Sequence, residues 1–224
     1  MWLIPTRNRA GMMKQLITTC ETTGDVPEAA VMMDGCEYFN INWPQNWHIH
    51  HSTEHIEMGK SINNLLTLYP GRKSYGLLTD HSRPLSRDWS STLEEEAGDW
   101  GMASSVNGKP RINKKTGKQR LDCFAIGGKL VEELGYIWHP SVVHMYADDI
   151  LEDIGYGLDI LRFIPEVKFD ELQLRDGTLK ADENSRRMFH GKFYLPLDAA
   201  AYAKWLELEY QPTLERLKRK MNES

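Results

Sequence analysis

Several groups of residues in this chain are of types and spacings that do chemistry. Arg7 and Arg9 fall in Pro5-Thr6-Arg7-Asn8-Arg9, immediately before a stretch with helical periodicity. Two cations and the backbone N–H groups of a helix mouth suit a diphosphate, although the same loop also reads as a solvated turn. Asp80 closes an apolar run and is followed by His81 and Ser82. An aspartate so placed offers oxygen ligands to a hard cation such as Mg²⁺ or Mn²⁺ and leaves positions open for phosphate oxygens; His81 as a second ligand favours Mn²⁺. Asp148 and Asp149 open another helical stretch, where acids either complement the helix dipole or, side by side, raise one another's pKa toward that of a general base. Lys109, Arg111, Lys114, Lys115, Lys118 and Arg120 make a basic run, either a solvated hairpin or a grip for an anionic partner.

The elements that carry these residues follow from hydrophobic spacing. Trp2-Leu3-Ile4 reads as a strand stopped by Pro5, and Met12, Met13, Leu16 and Ile17 as the inner face of a helix over 9–20. Ala29–Met33 reads as a second buried strand running into the turn pair Asp34-Gly35, with a long polar and aromatic stretch over 37–56 after it. Gly59–Leu68 reads as a helix and Ser74–Leu78 as the next strand. Strands alternating with helices imply a parallel sheet, whose ligands bind outside the carboxyl ends of the strands, so Pro5–Arg9, Asp34 and Asp80 should converge on one crevice. Phe124–Leu134 and Tyr146–Leu161 read as helices. Ala199–Met221 reads as one amphipathic helix whose Tyr202, Trp205, Leu206, Leu214 and Leu217 pack on the domain or on a second copy, which allows a homodimer.

The order of these elements, with the residues at their ends, resembles glycosyltransferase family two and its GT-A fold over roughly residues 1–165. Ile4-Pro5-Thr6-Arg7-Asn8-Arg9 resembles the opening by which the family's first strand enters the nucleotide pocket. Gly59 with Asn63 resembles its glycine-then-asparagine segment, Leu77-Leu78-Thr79-Asp80-His81-Ser82 stands in the place of its DxD metal motif, and Gly127-Gly128, Gly135-Tyr136 and Asp148-Asp149 follow the order of its acceptor-side glycines and acidic pair. The resemblance implies an α/β domain, Rossmann-like, with a mostly parallel sheet flanked by helices and a C-terminal amphipathic helix: a GT-A domain over 1–195 and a helical appendage over 196–224. It implies a divalent metal, Mn²⁺ or Mg²⁺, on Asp80 and His81, and a nucleoside-diphosphate sugar bound by Pro5, Thr6, Arg7, Arg9, Asp34, Gly59, Asn63 and Asp80. Asp149 takes the base position and Asp148 that of its acidic neighbour, for single displacement onto a hydroxyl acceptor. Ser82 departs from the pattern, since a second carboxylate belongs there. A further ligand, from a histidine after the last sheet strand, would fall to Asp170, Glu171 or His190. In this arrangement the basic run lies beside the acceptor, which suggests an anionic one: a phosphorylated lipid carrier, an acidic glycan, or nucleic acid.

The remaining features bound these readings. With 224 residues, 41% of them hydrophobic, one core suffices, and no apolar run is long enough to span a bilayer. The start of the chain does not resemble a signal peptide and Cys20, Cys36 and Cys123 form no CxxC pair, so reduced thiols and a cytoplasmic setting are expected. A net charge of -5 argues against general polyanion binding. His48, His50, His51 and His55 crowd one segment, and His51 with His55 has the spacing of a helical metal pair, but a polar loop explains them as well. Trp43, Trp47, Trp89 and Trp100 serve either as stacking surfaces or as core. Two rivals keep the same fold: a nucleotidyltransferase, disfavoured by a glycine-poor opening loop, and a non-catalytic binding module, favoured by Ser82.

Overall fold

The computed structural model describes residues 1–35, 40–107, 112–113, 116–171 and 194–224. Alternation with a period of two makes the first strands: in β1 (Trp2–Thr6) Trp2 and Ile4 face one side and Leu3 the other, and in β2 (Ala29–Asp34) Ala29, Val31 and Met33 oppose Ala30 and Met32. Both sides are apolar because helices cover both. Helix α1 (Ala10–Thr23) buries Met13, Leu16, Ile17 and Cys20 against the Trp2 side. Helix α2 (Met58–Leu68) buries Ile62 and Leu65 against the Leu3 side.

The strands β3 (Trp47–Ser52), β4 (Ser74–Leu77), β5 (Ser82–Pro84), β6 (Met102–Asn107), β7 (Phe124–Gly127) and β8 (Leu161–Glu171) complete an eight-stranded sheet of order β3-β2-β1-β4-β7-β6-β8-β5. β3, β2, β1 and β4 are mutually parallel, and β7 enters antiparallel to both β4 and β6, so the sheet is mixed beyond β4. Helices α3 (Trp89–Ala97), α4 (Gly128–Leu134), α5 (Ala147–Leu158), α6 (Tyr194–Leu208) and α7 (Tyr210–Glu223) fill the two faces.

Several expectations are corrected by this arrangement. The 37–56 stretch contains β3, an edge strand with an exposed face, so His51 ends a strand and is not one helical turn from His55. Phe124–Leu134 divides into β7 and α4 at Gly127-Gly128. A Cβ on Gly127 would lie 2.3 Å from the backbone of Asp99, and one on Gly128 1.9 Å from the Arg72 carbonyl, so these glycines permit close backbone packing. Trp47 and Trp89 are core residues, Trp89 packing edge-on against Trp2 at 4.6 Å and Phe169 at 5.1 Å. Asp170 and Glu171 belong to β8, paired with Arg83 and Ser82 of β5, and do not follow the last strand. Cys20 is a buried free thiol, and Cys123 is buried as well. Among the described residues no helix is long and apolar enough to cross a membrane.

The C-terminal segment is two helices, because Pro212 has no N–H for the Leu208 carbonyl and its ring crowds that turn; inside the first turn of α7 the missing donor costs nothing. The boundary expected at residue 195 falls within α6, and of the two uses expected for the apolar face, on the domain or on a second copy, Trp205, Leu214 and Leu217 serve the first, lying in the principal core. Asp198 ties α6 to the loop before α5. It is 1% exposed, and its carboxylate accepts the backbone N–H groups of Val143 at 2.8 Å, His144 at 2.9 Å and Met145 at 2.7 Å. Beside it Tyr202 stacks on Tyr146 at 5.1 Å and donates to Asp153 Oδ2 at 2.5 Å. Asp198→Ala should lower stability by about 2–3 kcal/mol, since N–H groups lose their acceptor in a partly buried loop; urea unfolding measures it, and a change under about 0.5 kcal/mol, the range of ordinary surface substitutions, would show the tie to be dispensable.

Candidate functional site

Thr6, at the carboxyl end of β1, and Asp80, just past β4, meet where these adjacent parallel strands end. Asp80 is 4% exposed, and both its oxygens are engaged: Thr6 Oγ1 donates to Oδ2 at 2.9 Å and Arg9 Nη1 to Oδ1 at 3.1 Å, with His81 Nδ1 3.3 Å from the same Oδ1. Burial alone would raise the Asp80 pKa, but the hydrogen bond from His81 and the charge of Arg9 outweigh it and hold the carboxyl below its ordinary range. The group is therefore a carboxylate at neutral pH despite its burial.

The turn that presents Asp80 is braced from behind. Ser82 N–H donates to the Thr79 carbonyl at 3.0 Å, and the Ser82 and Thr79 hydroxyls are 2.8 Å apart. Buried Arg83 donates to the carbonyls of Asp80 at 2.9 Å and Ser82 at 2.7 Å, and its other nitrogen to Gln15 Oε1 at 2.8 Å. Ser82, in the place expected of a second carboxylate, thus closes the turn as the first residue of β5.

Asp34, at the end of β2, accepts Ile56 N–H at 3.0 Å on Oδ1, while His55 Nδ1 is 2.7 Å and Arg7 Nη1 3.8 Å from Oδ2. Pro5 is buried in β1 opposite Met32 of β2. Gly59 and Asn63 meet the loop that carries Trp138. A Cβ on Gly59 would sit 2.3 Å from the Trp138 ring, and Asn63 donates to the Trp138 carbonyl at 2.7 Å while accepting from its N–H at 3.2 Å. Both pack the 137–139 loop against α2.

Asp148 and Asp149 occupy the first turn of α5. Arg120 Nη2 donates to Asp148 Oδ2 at 2.7 Å and Asp149 Oδ2 at 2.8 Å, and Arg120 Nε to Glu152 Oε1 at 3.4 Å. Glu152 is 4% exposed and also accepts the Leu121 N–H at 2.8 Å. Burial and then the charge of Asp148 raise the Asp149 pKa against the pull of Arg120, and the same causes push Glu152 up to about 7. Three carboxyls thus share one guanidinium, whose own pKa they raise despite its burial.

His144 links the two clusters. Burial lowers its pKa, and its ring feels Glu57, Asp198 and Asp148 on one side and Arg9 on the other. Of the basic run, Lys118 stands over the Tyr156 ring at 4.3 Å and Arg120 clamps the acids; Lys109, Arg111, Lys114 and Lys115 lie outside the described residues, as do Cys36 and His190. Ile112 and Gln119 form an antiparallel bridge, which makes the base of the run a hairpin. Glu152, His144 and Asp198 were not singled out from sequence, and His55 was weighed there only as half of a metal pair with His51. Of the first three only Glu152 left a trace, one helical turn beyond Asp148.

Glu152 supplies a pH test. Its folded pKa lies above the ordinary 4.5, so its favourable contribution is full below that value and lost as pH rises through about 7. Between pH 5 and pH 8, wild type should lose roughly 1–3 kcal/mol relative to Glu152→Gln, which never charges. Urea unfolding at the two pH values checks this; parallel losses in both proteins would contradict the assignment.

No known protein family and no curated protein sequence matches the chain. Solved structures do. The mannosyltransferase PcManGT from Pyrobaculum calidifontis, in complex with GDP-Man and Mn²⁺, superposes with a TM-score of 0.57 at 14% identity over 99% of this chain and 79% of that one. GalNAc-T7 with UDP, GalNAc and Mn²⁺ gives 0.64 at 11% identity over 99% of this chain, which spans 54% of its partner's length. Glucosyl-3-phosphoglycerate synthase from Mycobacterium tuberculosis, with Mn²⁺, UDP and phosphoglyceric acid, gives 0.59 at 9% identity over 89% and 77% of the two chains. These likenesses, with the sheet order and its flanking helices, show that the chain has the GT-A fold of nucleotide-sugar glycosyltransferases.

Proposed function

We propose that this chain is a glycosyltransferase that moves a sugar from a nucleoside-diphosphate donor to a hydroxyl acceptor, with a divalent metal, Mn²⁺ or Mg²⁺, at Asp80 and with inversion at the anomeric carbon. The observation that carries the reading is the buried, ionised Asp80 with Arg9 and Thr6 against it where the parallel strands end, the part of such sheets where ligands bind. The similar structures support it, since those named above hold Mn²⁺ with UDP or a GDP-linked sugar.

The donor set suits the metal. Asp80 Oδ1 and His81 Nδ1 stand 3.3 Å apart on adjacent residues, a carboxylate and an imidazole that Mn²⁺ accepts together. Among the described residues no group of three or more His, Cys, Asp or Glu is assembled for an ion, and an ion held by Asp80 and His81 would leave positions open for diphosphate oxygens and water. When bound, the metal supplies charge that stabilises the departing diphosphate.

The chain's own residues do the rest. Arg7 and Arg9 add positive charge for the diphosphate, and Thr6 fixes the Asp80 carboxylate. Asp149, its pKa raised, takes the proton of the acceptor hydroxyl; the oxygen bonds to the anomeric carbon as the bond from that carbon to the diphosphate breaks. Asp148 and Arg120 orient Asp149, and Arg120 keeps the adjacent carboxylates from repelling each other out of place. The acceptor enters from the side of α5 and the Ile112–Gln119 bridge, where Lys118 favours an anionic partner: a glycan, a lipid carrier or a hydroxylated base in nucleic acid. Residues 1–195 form the catalytic domain in this reading, with the C-terminal helices as its acceptor-side support, and the protein works in the cytoplasm.

Thermal shift with UDP, GDP, CDP and dTDP, with and without Mn²⁺, tests the donor half. One nucleotide should raise the melting temperature only with metal, and Asp80→Ala should abolish the rise. No shift with any nucleotide would end the reading in favour of a binding module. For the base, Asp149→Asn should slow release of nucleoside diphosphate from the matching nucleotide sugar by about 10²–10⁴-fold with nucleotide affinity unchanged; an undiminished rate would remove Asp149 from the mechanism.

A further inference from the structure

One residue at the start of α5 has a backbone conformation that its type does not favour. Tyr146 caps the helix with φ at +67°, in the left-handed region. Among the described residues the other non-glycine positions with positive φ are Asn8, Asp88 and Asp159, of types that enter that region readily, whereas a tyrosine there is strained. Such strain persists only where the surroundings hold it, and here they hold the ring. Tyr146 stacks on Tyr202 of α6 with centroids 5.1 Å apart and planes 18° from parallel. Tyr202 is fixed in turn by its hydrogen bond to Asp153 Oδ2 at 2.5 Å and by Trp205, stacked on it at 6.2 Å.

The stack stands beside the proposed base. Tyr146, Asp149 and Asp153 follow one another at helical spacing and so share one face of α5, and the charge of Asp149 is felt at the Tyr202 hydroxyl. Both rings are partly exposed. The Tyr202 hydroxyl is taken by Asp153, but that of Tyr146 has no hydrogen-bond partner among the described residues. An aromatic ring with an uncommitted hydroxyl therefore lies next to the carboxyl that takes the acceptor's proton in the reading above. The charges around it select among ligands that bind aromatic rings. Asp148, Asp149, Glu152 and Asp153 stand on the first turns of α5 against two cations, Lys118 and Arg120, and Arg120 is already divided among three of the four acids. A phosphate laid on the rings would meet this excess of negative charge. Sugar hydroxyls donate to carboxylates, and the C–H face of a pyranose packs on the negative face of an aromatic ring.

We propose that Tyr146, backed by Tyr202, is the acceptor platform: its ring stacks a pyranose of a glycan, its hydroxyl hydrogen-bonds that sugar, and the stacking brings an acceptor hydroxyl to Asp149. The ring bound there is an uncharged sugar, and any anionic group elsewhere in the glycan is met at Lys118. The backbone strain at Tyr146 is then the cost of holding an aromatic ring, where asparagine or glycine would fit the turn better, at the entry of the helix that bears the base. This inference rests on the reading of Asp149 as the base.

Ligand-observed NMR titration of the full chain, with Mn²⁺, UDP and GDP present, tests it. The probes are the methyl glycosides of glucose, galactose and mannose, with cytidine and thymidine as their nucleobase counterparts. At least one glycoside should bind wild type, and its Kd should weaken about tenfold in Tyr146→Asn, which suits the left-handed backbone and so keeps the turn. Tyr146→Phe, which keeps the ring and loses only the hydroxyl, should weaken binding less, so the result does not depend on one variant's folding. Equal affinity in wild type and Tyr146→Asn, binding of nucleosides in preference to every glycoside, or no glycoside binding would each overturn the platform. The metal-dependent thermal shift with nucleotide, measured on the same samples, separates the two readings. If that shift is present while the glycosides ignore Tyr146, the platform falls and the donor reading stands; if the shift is absent while glycoside binding depends on Tyr146, the donor reading falls and the sugar site stands.

Discussion

A carboxylate taken out of water must be met by charge or hydrogen bonds, or it loses its own charge. Asp80 is the clearest case in this chain: nearly all its surface is covered, yet Thr6 and Arg9 reach its two oxygens and keep it ionised. Much of the architecture around the crevice serves that meeting. The parallel pairing of β1 with β4 brings the ends of the two strands side by side, Thr6 lies at one of those ends, and the loop that follows supplies Arg9. Arg83 then holds the Asp80 carbonyl from below, so the charged turn is fixed from both sides.

The second acidic group obeys the same rule with a different outcome. Asp148, Asp149 and Glu152 crowd the first turns of α5 and have one guanidinium among them. A single positive charge cannot offset three crowded carboxyls, of which Glu152 is buried, so burial and the charge of Asp148 push Glu152 up to about 7 and Asp149 upward as well. The Asp80 carboxyl is thus held below its ordinary range and the α5 acids above theirs, opposite tendencies that suit the proposed transfer between a charged leaving group and a neutral hydroxyl.

Much of the positioning frame was legible in the sequence because it follows from short-range regularities. Two-residue alternation marks β1 and β2, helical spacing marks α1 and α2, and Asp34 and Asp80 stand where apolar runs end. What was not legible depends on tertiary context. β3 reads Trp-His-Ile-His-His-Ser, an edge strand whose exposed face carries no apolar pattern. Phe124–Leu134 carries apolar residues on both sides of Gly127-Gly128, and only the backbone contacts at these glycines reveal that a strand ends and a helix begins there. Asn63 and Gly59 matched a motif, but their neighbour Trp138 is 75 residues from Asn63. Arg120 looked like the end of a basic run, and its actual partners lie about thirty residues away on α5.

The C-terminal helices show why the surroundings of α5 cannot be understood from the first 165 residues. The loop over 143–145 has no strand or helix to take its N–H groups, and Asp198 takes them instead. That loop carries His144, which feels both Arg9 and Asp148, and leads within two residues into the helix that bears the acid pair. Tyr202 and Trp205 follow Asp198 at helical spacing and pack on Tyr146 and on the core, so α6 fixes the height of the loop and the entry of α5 together. The relative position of the Asp80 cluster and the α5 acid cluster is therefore set partly by a helix that carries neither. A change on the buried face of α6 acts on the distance between the two clusters before it acts on either one alone.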